Sequence, residues 1–170
     1  MKNLALLFLF LTLGLSAQKQ VCFTIDDLPV VPYRHAGEAF EAKLTNKLLG
    51  HLVEENIPAT GFVNEGKLFP NGSERLDTAR YKLLRRWLEA GMDLGNHTYG
   101  HLDYNNVSTG LYFSHITQGE RLTRPLTGEF GKSLRYFRHP YLHTGPRQGK
   151  ADSLRVFLQE HNYLEAPVTI

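Results

Sequence analysis

Three short groups of residues carry side chains able to do chemistry together. Asp26-Asp27 follows an apolar run, His97 and His101 stand four apart, and Arg138 precedes Pro140-Tyr141. Two imidazoles and one carboxylate make a three-ligand metal site with open positions, the pattern of catalytic rather than structural zinc. Such a metal polarises a carbonyl and acidifies a bound water. Adjacent carboxylates repel, and a cation relieves that cost. With Asp27 as the ligand, Asp26 is free to act as general base. Arg138 can pair with Asp26 and hold it ionised. A single helical turn over 97–101 would put both histidines on one face. Spacing alone proves little, because His139 and His143 are also four apart.

These groups need elements that bring them together. Residues 21–25 read as a β-rich strand. Residues 38–55 read as an amphipathic helix, with Phe40, Leu44, Leu48, Leu49 and Leu52 on its apolar face. A second strand is expected over 57–63, a loop over 66–77, and a helix over 78–90 with Tyr81, Leu84 and Leu88 on one face. A third strand is expected over 92–95, then a polar loop over 96–110 and a helix over 111–124 that ends before Pro125. A strand over 134–137, a helix over 151–161 and a strand over 163–170 complete the pattern. Alternating strands and helices imply right-handed crossovers and a parallel sheet. In such folds chemistry sits in loops after the carboxyl ends of strands. All three groups fall at such ends, after Ile25, after Gly95 and after Phe137.

Composition sets the bounds. The chain has 170 residues, 19 Lys+Arg against 17 Asp+Glu, and eight His. A hydrophobic fraction of 42% excludes disorder, and a net charge of +2 leaves no basic footprint for nucleic acid. Residues 1–17 carry Lys2, an apolar run and then small residues. They read as a signal peptide cleaved after Ala17, which implies export and no stable membrane span in the mature chain. Residues 18–170 then form one catalytic domain. Cys22 is the one cysteine, so no internal disulfide forms, and it is expected as a buried strand residue.

The three groups resemble the motifs of the polysaccharide deacetylase family, the NodB-homology domain of carbohydrate esterase family four. Thr24-Ile25-Asp26-Asp27-Leu28 resembles the first motif, with Leu28 in place of its glycine. His97-Thr98-Tyr99-Gly100-His101 and Arg138-His139-Pro140-Tyr141 match the second and third. The resemblance implies a distorted (β/α) barrel with fewer than eight parallel strands. It implies Asp26 as catalytic base, Asp27, His97 and His101 as ligands of a divalent metal, and Arg138 as the tether of Asp26. The metal would be Zn2+ foremost, with Co2+, Mn2+, Ni2+ or Fe2+ as alternatives. The Tyr141 main-chain N–H would stabilise the oxyanion. The implied reaction is removal of acetyl groups from an N- or O-acetylated polysaccharide. The family's two later motifs, including a histidine general acid, are expected beyond Ile170, which reads as a truncated, nearly inactive and incomplete barrel. His139 and His143 are expected on an exposed loop. Trp87 is expected in packing, and Tyr33 is a candidate for sugar stacking. Two other functions fit the same residues: an inactive carbohydrate-binding relative, and a non-haem iron oxygenase using the two-His-one-carboxylate set.

Overall fold

A computed structural model describes residues 21–31 and 37–168. The expected signal segment, Tyr33 and His35 lie outside the described residues. Five strands form one parallel sheet in sequence order: β1 (Phe23–Leu28), β2 (Ala59–Val63), β3 (Asp93–Asn96), β4 (Tyr136–Phe137) and β5 (Leu164–Glu165). Helices α1 (Glu38–Glu54), α2 (Thr78–Glu89), α3 (Thr109–Gln118), α4 (Thr123–Glu129) and α5 (Gln148–Glu160) make the crossovers. This is the open, parallel α/β arrangement that the alternation implies.

The two faces of the sheet differ. On the helix-covered face, Leu28, Val63, Leu84, Trp87 and Leu88 belong to one buried core. Trp87 is 1% exposed and fills that core, as expected of packing. Gly61 is required there, because a Cβ would stand 2.1 Å from Leu28 Cδ1. On the other face Phe62 is fully buried, and Gly95 beside it leaves room for the ring, 2.5 Å from where a Cβ would be. Strand side chains alternate, so residues two apart share a face. Register pairs Thr24 with Thr60 and Phe62 with Gly95. One face therefore collects Thr24, Asp26, Thr60, Phe62, Gly95 and, one step beyond the strands, His97 and Arg138.

Several expectations need correction. On α1 the buried residues are Glu41, Thr45, Leu49 and Leu52, whereas Phe40 and Leu44 are exposed. The reason is electrostatic: Arg80 of α2 grips Glu41 through two hydrogen bonds of 3.0 and 2.8 Å and turns that side inward. The helix expected over 111–124 is two helices. Pro125 sits in the first turn of α4, where its missing N–H costs nothing. The loop after β2 contains two 3-10 turns, Glu65–Leu68 and Pro70–Gly72. Cys22 is exposed, because it precedes β1 at the sheet edge. Among the described residues, no helix is long and apolar enough to cross a membrane.

Candidate active site

In a regular strand Asp26 and Asp27 would point to opposite faces. Here the β1–β2 register shifts between Ile25 and Leu28, and Asp27 adopts a left-handed backbone (φ 69°). The irregularity breaks the alternation and lets both carboxylates serve one site. Asp26 accepts a 2.9 Å hydrogen bond from Arg138 Nη1. The same nitrogen donates to Thr24 Oγ1 at 2.7 Å, and Arg138 Nε donates to the Ala166 carbonyl at 3.0 Å. The guanidinium lies over the Phe62 ring, 4.4 Å from its centroid, and the residue is 4% exposed. Arg138 is thus held on every side while it holds Asp26.

Asp27, His97 and His101 converge. Each offers one ligand atom, and these atoms all lie within 4.8 Å of one another. The geometry differs from the helical turn expected over 97–101. Thr98 and His101 are left-handed (φ 65° and 52°), so a folded loop brings the two rings together edge to face, 5.0 Å apart. Asn96 and Asn64 build that loop. The Asn96 carboxamide oxygen accepts from Thr98 N at 2.7 Å, and its amide donates to Ile116 O and Tyr163 Oη. Asn64 donates to the carbonyls of His97 and Thr98. His97 Nδ1 lies 2.7 Å from the Arg138 carbonyl. A carbonyl only accepts, so Nδ1 carries the proton and Nε2 keeps its lone pair for a cation.

The electrostatics agree with that donor set. Burial lowers the His97 pKa and favours the neutral, ligating imidazole. Burial pushes the Asp27 carboxyl up, but the hydrogen bond and charge of Lys67, with His101 and His97, outweigh it and leave Asp27 below its ordinary value. Two imidazoles and an ionised carboxylate at this separation suit a divalent cation. Tyr141 stands left-handed (φ 58°), with its ring 4.7 Å from His101.

His139 is not on an exposed loop. It is 7% exposed, its Nε2 is hydrogen-bonded to Glu165 of β5, and its ring packs on Phe137. Strand parity explains this, since His139 follows Phe137 on the opposite face from Arg138. His143 is half-buried rather than fully exposed and pairs with Asp103 at 2.7 Å. Two polar partners escaped the sequence reading: Asn64 and Lys67. The usable signal was the carboxyl end of β2, which obeys the same rule as the other strand ends but reads only as a glycine-rich and proline-rich loop.

Residues 15–153 match the family model described as polysaccharide deacetylase. No curated protein sequence matches. Several solved structures share the fold. A family 4 carbohydrate esterase from Streptomyces lividans, in complex with acetate, has 22% identity and a TM-score of 0.60 over 88% of this chain and 62% of that one. The chitin deacetylase of Colletotrichum lindemuthianum has 26% identity and a TM-score of 0.59 over 85% of this chain and 53% of that one. A family 4 pseudoenzyme from Bacillus anthracis has 15% identity and a TM-score of 0.60 over 88% of this chain and 43% of that one. The chain therefore spans less than two thirds of the length of each of these neighbours. With a family match over most of its length and the NodB-type fold of those neighbours, the chain belongs to the polysaccharide deacetylase family.

Proposed function

We propose that the protein is a divalent-cation-dependent deacetylase acting on an acetylated polysaccharide. The observation that carries this reading is the meeting of Asp27, His97 and His101 beside an arginine-tethered Asp26. Asp27, His97 and His101 would hold the cation, Zn2+ first among the candidates. When bound, the cation would supply Lewis-acid polarisation of the acetyl carbonyl and a more acidic water.

The chain's own residues do the remaining work. Asp26 takes the proton from the attacking water, which requires it to be ionised at rest. Arg138, 2.9 Å away, pairs with the carboxylate and aims it. The N–H of Tyr141 serves the oxygen on which charge develops, at no cost in reorganisation. Water adds to the acetyl carbon, the bond to the sugar nitrogen or oxygen breaks as that atom takes up a proton equivalent to the one Asp26 accepted, and acetate and a free amine or hydroxyl are the products. We assign residues 1–17 to export and residues 18–170 to the catalytic domain.

Metal analysis and acetate assays test this reading. The chain is expected to hold one divalent cation and to release acetate, at a low rate, from acetylated chitooligosaccharides or acetylxylan. Asp27→Ala and His97→Ala are expected to lose both properties. Unchanged stoichiometric metal in both variants would sink the assignment. Oligosaccharide binding with no acetate from any substrate would favour the inactive, carbohydrate-binding reading, which the likeness to the Bacillus anthracis pseudoenzyme motivates.

A further inference from the structure

The cation site contains a cation of its own. Lys67 stands on the 3-10 turn Glu65–Leu68, just past the carboxyl end of β2. Its Nζ donates to the Asp27 carbonyl at 2.7 Å and to Asp27 Oδ1 at 3.0 Å. His101 Nε2 lies 3.8 Å from that same Oδ1. The lysine thus engages a carboxylate oxygen that faces a ligand histidine.

Its root is firmly held. The Lys67 carbonyl accepts from Arg80 Nη1 at 3.0 Å, and Arg80 is clamped by buried Glu41. The Lys67 N–H donates to Asn64 O at 3.1 Å, and the neighbouring Gly66 N–H donates to Tyr99 O, inside the His97–His101 loop, at 2.9 Å. Gly66 has no room for a side chain, since a Cβ would stand 2.6 Å from Tyr99 O. The turn that carries Lys67 is therefore locked to the loop that carries the histidines.

The usual partner behind a metal ligand is a carboxylate or carbonyl that raises the ligand's basicity. An ammonium does the reverse. It draws charge from the carboxylate and repels an incoming dication at short range. We propose that Lys67 is the resident counter-cation of Asp27: it holds the carboxylate in place when no metal is bound, and a divalent cation displaces it from Oδ1. Lys67 thereby weakens cation affinity and keeps the ion exchangeable. It is a positioning residue, and its role rests on the cation-site reading proposed above.

Lys67→Met removes the charge and keeps most of the stem, whereas Lys67→Arg keeps the charge. Zn2+ dissociation constants, measured by chelator competition, should fall about tenfold in Lys67→Met and stay within about threefold of wild type in Lys67→Arg. The metal-free Lys67→Met protein should melt lower than wild type, and Zn2+ should raise its melting temperature by more. Equal or weaker Zn2+ binding by Lys67→Met overturns the proposal. Should that variant fail to fold, wild-type protein with 13C-methylated lysines gives the answer. The Lys67 methyl resonance should shift on addition of Zn2+, and an unmoved resonance overturns the proposal. Failure of the wild type to bind Zn2+ overturns the parent reading and this one with it. Wild-type binding with an unaltered Lys67→Met constant overturns this one alone.

Discussion

Two histidine pairs of identical spacing behave differently in this molecule. His97 and His101 turn toward each other, 5.0 Å between ring centroids, with the Asp27 carboxylate beside them. His139 and His143 part company, one bonded to Glu165 and the other to Asp103. Both pairs follow a strand end. The difference lies in which face the first histidine occupies and in what the chain does next. His97 continues the face of β3 that carries Gly95, and left-handed residues at Thr98 and His101 fold the second ring back. His139 continues the opposite face of β4, under Phe137 and against β5. Strand parity sorts the four histidines, and the carboxylate each one meets sets its task.

The largest effect should come from breaking the first pair while sparing the second. His101→Ala is expected to cut acetate release by at least about a hundredfold and to lose the cation, since a three-ligand site does not tolerate losing one. His143→Gln, at the matching position of the other pair, should keep full metal content. Equal loss of metal in both variants would erase the distinction.

The next effect separates the base from the ligands. Arg138→Met leaves the main-chain carbonyl that orients His97 and removes the guanidinium that holds Asp26. Metal content is expected to persist while kcat falls by about a hundredfold. Loss of metal together with activity would show that Arg138 supports the cation site rather than the base.

A smaller effect concerns stability and the buried member of the second pair. Burial lowers the His139 pKa, against an opposing contribution from Glu165. The folded state then binds fewer protons than the unfolded state. As pH falls below about 6.5, where an unfolded histidine takes its proton, the folded state loses ground. The loss levels off below the lowered folded value. Urea melts of the metal-free protein should show His139→Gln with a shallower decline between pH 7 and pH 5 than wild type. Parallel curves would mean that this histidine carries no such linkage.

The sequence reveals the order of elements because the signals are local. The apolar spacing of Leu84 and Leu88 predicts α2, and alternation of strands with helices predicts a parallel sheet. Asp26, Asp27, His97, His101 and Arg138 could be named because they stand at strand ends, and Tyr141 because of the family resemblance. What escaped depends on distant partners. Glu41 is buried because of Arg80, and His139 because of Glu165, and neither pairing leaves a periodic trace. The bulge that turns both Asp26 and Asp27 to one face is invisible for another reason. Nothing in Ile25-Asp26-Asp27-Leu28 demands a left-handed aspartate, which Lys67 and the β2 register support from elsewhere.

The central claim is that one divalent cation is shared by Asp27, His97 and His101. X-ray absorption at the zinc edge, on wild type and His97→Ala loaded with one equivalent of Zn2+, tests it most directly. Two imidazoles and oxygen ligands are expected in the wild type, and one imidazole or no ordered site in the variant. A wild-type spectrum without two imidazoles, or a variant spectrum identical to wild type, would contradict it.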